Sequence, residues 1–188
     1  MMDLGLLHFH IRKPKFNRKE MMRFVASFPE SYRKQLILHS HHGLVDKYKL
    51  GGLHLSRIHR KRKTLYKFRL WLKLKLNKQL VITRTFHKLT DVNDDRRVYS
   101  YAFLSPVFDR MSQNSIGGGY SKRALLIMIP QARQPVYAMG GIEASNIALT
   151  HELGFQGAAL LGALWKGKEA PHVIASEALR IAKDINKG

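Results

Sequence analysis

Two short apolar segments near the C-terminus, each ending in glycine, constrain the fold more than any other feature of this chain. Residues 135–139 lead into Gly140 and Gly141, and residues 157–161 lead into Gly162. Apolar runs of this length, bounded by turn residues, are typical of strands that are buried on both faces. Such strands belong to parallel sheets, in which helices cover both faces.

The chain between these segments predicts one helix. Residues 145–153 fit a helix with Ser145 as its N-cap and Gly154 just past its C-terminus. A strand ending in two glycines, a helix, and a second strand ending in glycine match the last two units of a (β/α)8 barrel. The predicted fold class is therefore α/β, of the TIM-barrel type.

The loops after the last two strands of such barrels hold a phosphate through backbone N–H groups. We therefore expect Gly140, Gly141, Gly162 and Ala163 to bind phosphate. Glycine suits this role because a side chain would block the close approach of the anion. The alternative is that these glycines form only tight turns, and the ordered pair of strands favours the phosphate site.

The rest of the chain alternates strands and helices in the same way. Asn17 and Glu20 have the spacing of a capping box, which predicts a helix from there to about Phe28. The alternation yields seven strand candidates, so the first strand–helix unit of a barrel is expected to be missing. A single domain over residues 1–188 is predicted. The remaining strands are expected at residues 5–11, 35–39, 52–55, 80–84 and 101–104, and the remaining helices at 42–50, 121–129 and 169–185.

Composition excludes several classes of protein. The chain contains no cysteine, which excludes a disulfide framework, a thiolate metal site and a cysteine nucleophile. It lacks an apolar run long enough to span a membrane, and its first residues lack the basic region of a signal peptide. A cytoplasmic protein with no membrane partner fits these observations.

Positive charge is concentrated in one block. Residues 47–88 contain 14 of the 33 Lys and Arg residues and none of the 13 Asp and Glu residues. The block is a solvated basic face, an aid to phosphate binding, or a nucleic-acid surface on which Tyr66, Phe68 and Trp71 stack with bases. Since no nucleic-acid-binding motif is present, nucleic acid is the partner we expect least.

Two stretches fit the alternation of strands and helices poorly. Residues 67–76 alternate basic and apolar side chains, and this period of two predicts a half-exposed strand rather than a helix. Residues 111–120 include three consecutive glycines and predict a mobile loop.

Histidines form a second group of candidate functional residues. His39, His41 and His42 are close in sequence, with His54 and His59 nearby. Imidazole binds Zn²⁺ readily, but two of these histidines are adjacent and no carboxylate completes the set, so no metal site is predicted.

His10 and Arg12 alternate along the predicted first strand and therefore share one face. They are the best candidate pair for contact with an anionic or heterocyclic ligand. A buried polar layer that fills the barrel is an equally weighted alternative. His54 is expected to line the same pocket.

Four short motifs resemble the thiamine-phosphate synthase family and its thiazole-tautomerase relatives. They are Leu-His-Leu at 53–55, Leu-Ser-Pro-Val-Phe at 104–108, Ala-Met-Gly-Gly-Ile at 138–142 and Gly-Ala-Ala at 157–159. The resemblance covers residues 5–164. It implies a (β/α)8 barrel and an enzyme that joins a phosphorylated thiazole to a pyrimidine diphosphate with Mg²⁺.

The residues carried over from the family match in part. Gly140 and Gly141 stand at the family's phosphate loop, and Gly162 replaces a serine at the end of the last strand. In the family's Gln-x-Arg-x-Lys motif, Arg12 is retained and His10 replaces the glutamine. The resemblance makes Arg12 and His10 the candidate catalytic residues.

The substrate-binding residues implied by the family are His54, His87, Ser105 and Pro106. His87 matches a Ser-x-His element on the pyrimidine side, with helix capping as the alternative role. Pro106 stands where a tautomerase relative has a histidine base.

The carboxylates that bind Mg²⁺ in the family are missing. His39-Ser40 stands in place of Asn-Asp, and Ser56 begins the segment that replaces Gly-Gln-x-Asp. The resemblance implies Mg²⁺ as the cofactor. Mg²⁺ requires hard oxygen ligands, and the carboxylates that would supply them are absent from this sequence.

These observations predict a protein of thiamine biosynthesis that binds a phosphorylated thiazole or thiamine phosphate, with transferase activity that is weak or lost. A non-catalytic binding or regulatory relative is the alternative, followed by a basic anion or nucleic-acid binder. A barrel without its first unit would expose strand edges, so a second copy of the chain is an expected partner.

Overall fold

The computed structural model describes residues 2–56, 59, 64–95, 99–108, 116–166 and 169–185. Their contacts divide into two compact units. The N-terminal unit is Leu7–Arg84, and the C-terminal unit is Thr85–Gly188 together with Met1–Leu6. The single domain expected from the sequence stays a prediction.

The N-terminal unit is built on short parallel strands. Each strand pairs in parallel with the next one along the chain, from β1 to β4. The strand predicted at residues 5–11 is shorter than expected, because only its last three residues pair with β2. The strands are β1 Phe9–Ile11, β2 Leu36–Leu38, β3 Gly52–Leu55 and β4 Val81–Phe86, whose last two residues belong to the C-terminal unit.

The C-terminal unit adds β5 Tyr101–Leu104, β6 Val136–Met139 and β7 Gly157–Ala159. β6 pairs in parallel with both β5 and β7. The strand order of the sheet is the chain order, β1-β2-β3-β4-β5-β6-β7. All seven strands predicted from the sequence are therefore present in the described part of the chain.

Burial follows the expectation for parallel strands in β2, β3 and β5 but not in the last two strands, which were expected to be buried on both faces. In β6 only Val136 and Ala138 are buried, and no residue of β7 is. All three residues of β2 and all four residues of β3 and of β5 are buried. Strands buried on both faces read as continuous apolar runs, which is why they are recognisable in the sequence.

The helices of the N-terminal unit are α1 Arg18–Ala26, α2 Leu44–Lys47 and α3 Thr64–Leu76. The predicted capping box at the start of α1 is confirmed. The Glu20 N–H donates to Asn17 Oδ1 at 3.0 Å, and the Asn17 N–H donates to Glu20 Oε2 at 2.7 Å. α1 packs through Met21 and Val25, which are both fully buried.

The strand predicted at residues 67–76 is wrong, because this segment forms most of α3. Leu, Lys and Arg dominate it and are strong helix formers, and it contains no β-branched residue. The helix leaves large apolar side chains in solvent, with Phe68 56% and Trp71 52% exposed. A period of two distributes apolar and basic side chains around a helix, so α3 is not amphipathic and exposes apolar side chains among basic ones.

The helices of the C-terminal unit are α4 Leu89–Asp94, α5 Lys122–Met128, α6 Ile147–Glu152, α7 Gly162–Lys166 and α8 Pro171–Ile185. No described helix is both long and apolar enough to cross a membrane. Of the predicted loop at 111–120, residues 111–115 lie outside the described residues.

Ser145 is not the N-cap predicted for α6. It lies inside a 3-10 helix, Ala144–Asn146, that precedes α6. Glu143 and Asn146 form a reciprocal capping box at the start of this turn, so the helical segment begins earlier than the sequence suggests. Gly154 lies just past α6 with φ +89°, as predicted.

Candidate functional site

Three histidines of the N-terminal unit meet at neighbouring strands. His10 lies in β1, His39 follows the last residue of β2, and His54 lies in β3. His10 Nδ1 is 3.0 Å from His39 Nε2, and the His39 and His54 rings stack with centroids 4.1 Å apart. One ring nitrogen from each histidine lies within 4.8 Å of the other two. We call these residues the histidine cluster.

Strand register brings the histidine cluster together. Leu38 pairs with Leu53, so the next residues along, His39 and His54, lie level with each other. The His39 N–H donates to the Ile11 carbonyl at 3.1 Å, which ties the end of β2 to β1. Side chains at alternate positions of paired strands share a face, so the three imidazoles point the same way.

Thr83 is a fourth residue of this layer. It pairs with His54 in the β3–β4 register, and its Oγ1 lies 2.9 Å from His54 Nδ1. Both side chains are buried, with His54 4% exposed and Thr83 fully buried. Sequence reasoning missed Thr83, although alternation along β4 places it on the same face as His54 once the strands are paired.

Burial keeps the histidine cluster neutral. Desolvation, followed by the charges of neighbouring histidines, lowers the pKa of His54 to about 2 and that of His10 to about 3. Desolvation, followed by the charges of Arg12 and His59, lowers the pKa of His39 to about 4. At neutral pH these imidazoles therefore carry lone pairs rather than charge.

Arg12 lies one residue past β1 and is exposed, whereas His10 is half-buried against His39. The effect of Arg12 on the pKa of His39 indicates that its charge lies close to the histidine cluster. The catalytic roles predicted for His10 and Arg12, and the substrate-binding role predicted for His54, stay predictions.

The other histidines of the sequence cluster lie elsewhere in the same unit. His41 Nε2–H donates to the Phe16 carbonyl at 2.9 Å. His42 stacks on His59 at 4.1 Å, and its Nδ1 is 2.7 Å from the Tyr66 hydroxyl. His41 and His42, which are adjacent in sequence, thus contact different residues. The third member of the histidine cluster is His10 instead.

In the C-terminal unit, Gly140 and Gly141 form the turn after β6 with φ +92° and +67°. A Cβ at Gly140 would lie 2.9 Å from Pro106 Cα, and one at Gly141 would lie 2.8 Å from Phe108 Cβ. Both glycines are therefore required by the protein's own backbone and packing, whatever the turn binds.

The carbonyls of this glycine turn are held by neighbouring groups. Phe108 N–H donates to the Gly140 carbonyl at 3.1 Å, and Asn146 Nδ2 donates to the Gly141 carbonyl at 2.9 Å. The turn is thus fixed through its oxygens.

The substrate-binding candidates His87, Ser105 and Pro106 lie beside this turn. His87 Nδ1–H donates to the Ser105 carbonyl at 2.8 Å, and Tyr120 donates its hydroxyl proton to the His87 carbonyl at 2.9 Å. Ser105 Oγ would lie 3.3 Å from a Cβ at Gly140. The capping alternative for His87 is not observed, since α4 begins without a side-chain cap.

Gly162 and Ala163 are the first residues of α7 and do not end a strand as predicted, because β7 stops at Ala159. Gly162 is exposed, and a Cβ added there would meet no atom of the described residues within 4 Å. Unlike the glycines after β6, Gly162 is therefore not required by packing within the protein.

No family model and no curated protein matches this chain. Solved structures do. A thiamine phosphate pyrophosphorylase from Bacteroides thetaiotaomicron is 22% identical, with 97% of this chain and 87% of that chain covered and a TM-score of 0.73. The pyrophosphorylase from Pyrococcus furiosus is 15% identical, with 98% and 86% covered and a TM-score of 0.73.

A 3-hexulose-6-phosphate synthase is also similar, at 12% identity, 96% and 88% coverage and a TM-score of 0.64. At these identities the likeness shows the fold alone. The protein has an α/β fold of the TIM-barrel type, as the sequence predicts, and shares it with thiamine-phosphate synthases. The resemblance drawn from the sequence motifs is confirmed at the level of the fold.

Proposed function

We propose that the protein acts in thiamine biosynthesis by binding a phosphorylated thiazole or thiamine phosphate at the C-terminal unit. The observation that carries the proposal is the glycine turn after β6. Gly140 and Gly141 are half-buried, and Gly140 lies against Ser105 and Pro106 while Gly141 lies against Phe108. The fold shared with thiamine phosphate pyrophosphorylases supports a ligand site at this turn.

The glycine turn suits an anion because it is already held in place. Successive backbone N–H groups in a turn with positive φ form a concave site for phosphate oxygens. Since Phe108 and Asn146 hold the Gly140 and Gly141 carbonyls, the backbone of the turn is fixed before a ligand binds. We assign the phosphate to the backbone N–H groups of Gly140 and Gly141, with those of Gly162 and Ala163 as the second part of the binding site.

The organic part of the ligand is assigned to His87, Ser105 and Pro106. Because His87 Nδ1 donates its proton to the Ser105 carbonyl, the neutral ring offers Nε2 as a hydrogen-bond acceptor. Ser105 adds a hydroxyl, and Pro106 adds an apolar wall next to Gly140.

Mg²⁺ does not fit the residues that replace the family's carboxylates. Ser40 and His59 stand at the two carboxylate positions. The His59 ring stacks on His42, and its Nδ1 lies 2.8 Å from Ser56 Oγ. A hydroxyl and an imidazole take the place of the two carboxylates, whereas Mg²⁺ takes oxygen ligands in an octahedron. No step of a transferase mechanism is assigned to Mg²⁺ in this protein.

Without Mg²⁺ ligands, charge on the leaving diphosphate would have to be stabilised by basic side chains. Loss of a diphosphate group requires positive charge close to the leaving oxygens. The neutral His10 supplies none, which leaves Arg12 as the exposed cation of the two candidate catalytic residues. We expect synthase turnover that is weak or absent, and a non-catalytic binding protein is the alternative.

Self-association is the partner interaction that we propose. Among the described strands, β1 is paired only with β2, and β7 only with β6. An edge strand offers unpaired backbone groups to another chain. Light scattering after size exclusion tests this: a dimer or larger species supports it, and a monomer at high concentration contradicts it.

Thermal unfolding with added ligands tests the function. Thiamine phosphate and thiazole phosphate should raise the midpoint beyond the shift given by inorganic phosphate, because ligand binding stabilises the native state by mass action. Gly162→Val should reduce these shifts without unfolding the protein, since its position is open. Leu161→Val, an exposed neighbour, is the matched control. Equal shifts from all three compounds would contradict the proposal.

A further inference from the structure

We propose that the histidine cluster, His10, His39 and His54, binds one first-row transition-metal ion of the Zn²⁺ type through a nitrogen from each ring. The cluster lies wholly within the N-terminal unit. The inference does not rest on the proposed thiamine-related function, whose ligand groups were assigned to the C-terminal unit.

The spacing of the ring nitrogens suits a metal ion. Zn²⁺ binds imidazole nitrogen at 2.0–2.1 Å, so two nitrogens on a tetrahedral ion lie about 3.3 Å apart. His10 Nδ1 and His39 Nε2 are already 3.0 Å apart, and all three ligand nitrogens lie within 4.8 Å of one another. Small rotations of the rings would bring the set onto one ion.

The protonation state also suits a metal. A ligand imidazole must be neutral, and protons otherwise compete with the ion. Burial lowers the pKa of His10, His39 and His54 far below neutrality. The cluster therefore offers lone pairs at neutral pH without first releasing protons.

Thr83 orients one of the ligands. Its Oγ1 lies 2.9 Å from His54 Nδ1 in a buried contact, which assigns Nε2 of His54 to the ion. Metal-binding histidines characteristically use their second ring nitrogen in such a hydrogen bond, which fixes the tautomer and the ring orientation.

The strands hold the three ligands in place before any ion arrives. His10 and His54 lie within paired parallel strands, and His39 is tied to β1 by its own N–H. Ligands on rigid strands need little reordering when the ion binds. Three imidazoles select zinc, copper, nickel or cobalt over Mg²⁺, and they leave a fourth position for water.

A purely structural stack is the competing explanation. The His10–His39 hydrogen bond and the His39–His54 stacking could fill this layer with neutral rings and no ion. The two explanations differ in their response to metal. A structural stack would release added Zn²⁺ on dialysis, whereas a metal site would retain one ion per chain.

The experiment uses the full chain without an affinity tag, stripped with a chelator and dialysed against Zn²⁺ or Co²⁺. We expect one ion per chain by elemental analysis, and Co²⁺ absorption bands of a tetrahedral nitrogen site. His39→Gln and His54→Gln should each weaken binding at least about tenfold. His41→Asn is the matched control, because it removes a nearby histidine outside the cluster and asparagine tolerates its φ of +54°.

Thr83→Val tests the same site without removing a ligand. It should weaken metal binding about tenfold, because the hydroxyl that orients His54 is lost. Circular dichroism of each chelated variant checks that the fold persists. Less than one ion per chain in the wild type, or equal binding by wild type, His54→Gln and Thr83→Val, would overturn the proposal. Thiazole-phosphate binding measured on Thr83→Val and on the His41→Asn control reports separately on the C-terminal unit, because neither residue is among the predicted substrate-binding residues.

Discussion

Asn146 donates a hydrogen bond from Nδ2 to the carbonyl of Gly141 at 2.9 Å, and its side chain is fully buried. Its Oδ1 also accepts the Glu143 N–H at 3.0 Å. One amide side chain thus ties the glycine turn after β6 to the start of the helical segment that follows. The shape of the proposed phosphate site therefore depends on a residue that need not touch the phosphate.

Asn146→Ala is expected to destabilise the protein by about 1–3 kcal/mol, because it removes the hydrogen-bond partner of the half-buried Gly141 carbonyl and Glu143 N–H. It should also reduce the thermal shift given by thiazole phosphate. Urea unfolding and ligand titration measure the two effects. Asn146→Asp retains an acceptor for Glu143 but loses the donor to Gly141, so it should restore part of the stability without restoring ligand binding. Full binding in both variants would contradict the role given to Asn146.

Gly141→Ala should destabilise the protein, whereas Gly162→Ala should not. At Gly141 the φ of +67° and the contact with Phe108 both oppose a Cβ. We expect a loss of about 2–4 kcal/mol there. At Gly162 the space is open and the residue starts a helix, so alanine should be neutral or stabilise by up to about 1 kcal/mol. Urea unfolding measures the free energy of unfolding of both variants. Similar losses of stability in the two would contradict the difference in packing between Gly141 and Gly162.

The strands were predictable because parallel strands buried on both faces form apolar runs between turn residues, and residues 101–104 match β5 at both ends. α3 was not predicted, because the sequence analysis gave more weight to its period of two than to the helix-forming tendency of Leu, Lys and Arg. Local pattern thus identifies buried elements better than exposed ones.

The candidate sites were predictable only in part. Ser105 and Pro106 lie against Gly140, and His87 hydrogen-bonds to the Ser105 carbonyl, so these candidates from separate segments do lie together. The histidine cluster depends instead on the register between β1, β2 and β3, which no single segment reveals. His39 and His41 are close in sequence, yet strand pairing places only His39 next to His10.

Asn17→Ala should destabilise the protein by about 1 kcal/mol. The variant removes the oxygen that accepts the Glu20 N–H at the start of α1, whose buried face packs through Met21 and Val25. Lys19→Ala, on the exposed side of the same turn, is the control. Equal unfolding free energies for the two variants would show that the capping box contributes nothing measurable.

Alkaline pH should destabilise the C-terminal unit through Tyr101. Burial, followed by the nearby Tyr137, raises the pKa of the Tyr101 hydroxyl. The rings stack with centroids 4.6 Å apart, and Tyr101 is only 4% exposed. In the unfolded chain this hydroxyl ionises near its ordinary pKa of about 10. The stabilising effect is therefore complete below pH 10 and is lost as the pH rises above it, because the unfolded state then releases a proton that the native state retains.

Tyr101→Phe removes that proton release. Between pH 10 and the start of alkaline unfolding, the free energy of unfolding should fall less steeply in the variant, by at most about 1.4 kcal/mol per pH unit. Urea unfolding at a series of pH values measures both slopes. Tyr48→Phe, a half-buried tyrosine of the N-terminal unit, is the control for the loss of a hydroxyl. Parallel curves for wild type and Tyr101→Phe would show that Tyr101 ionises as readily in the native state as in the unfolded chain, and that burial does not protect it.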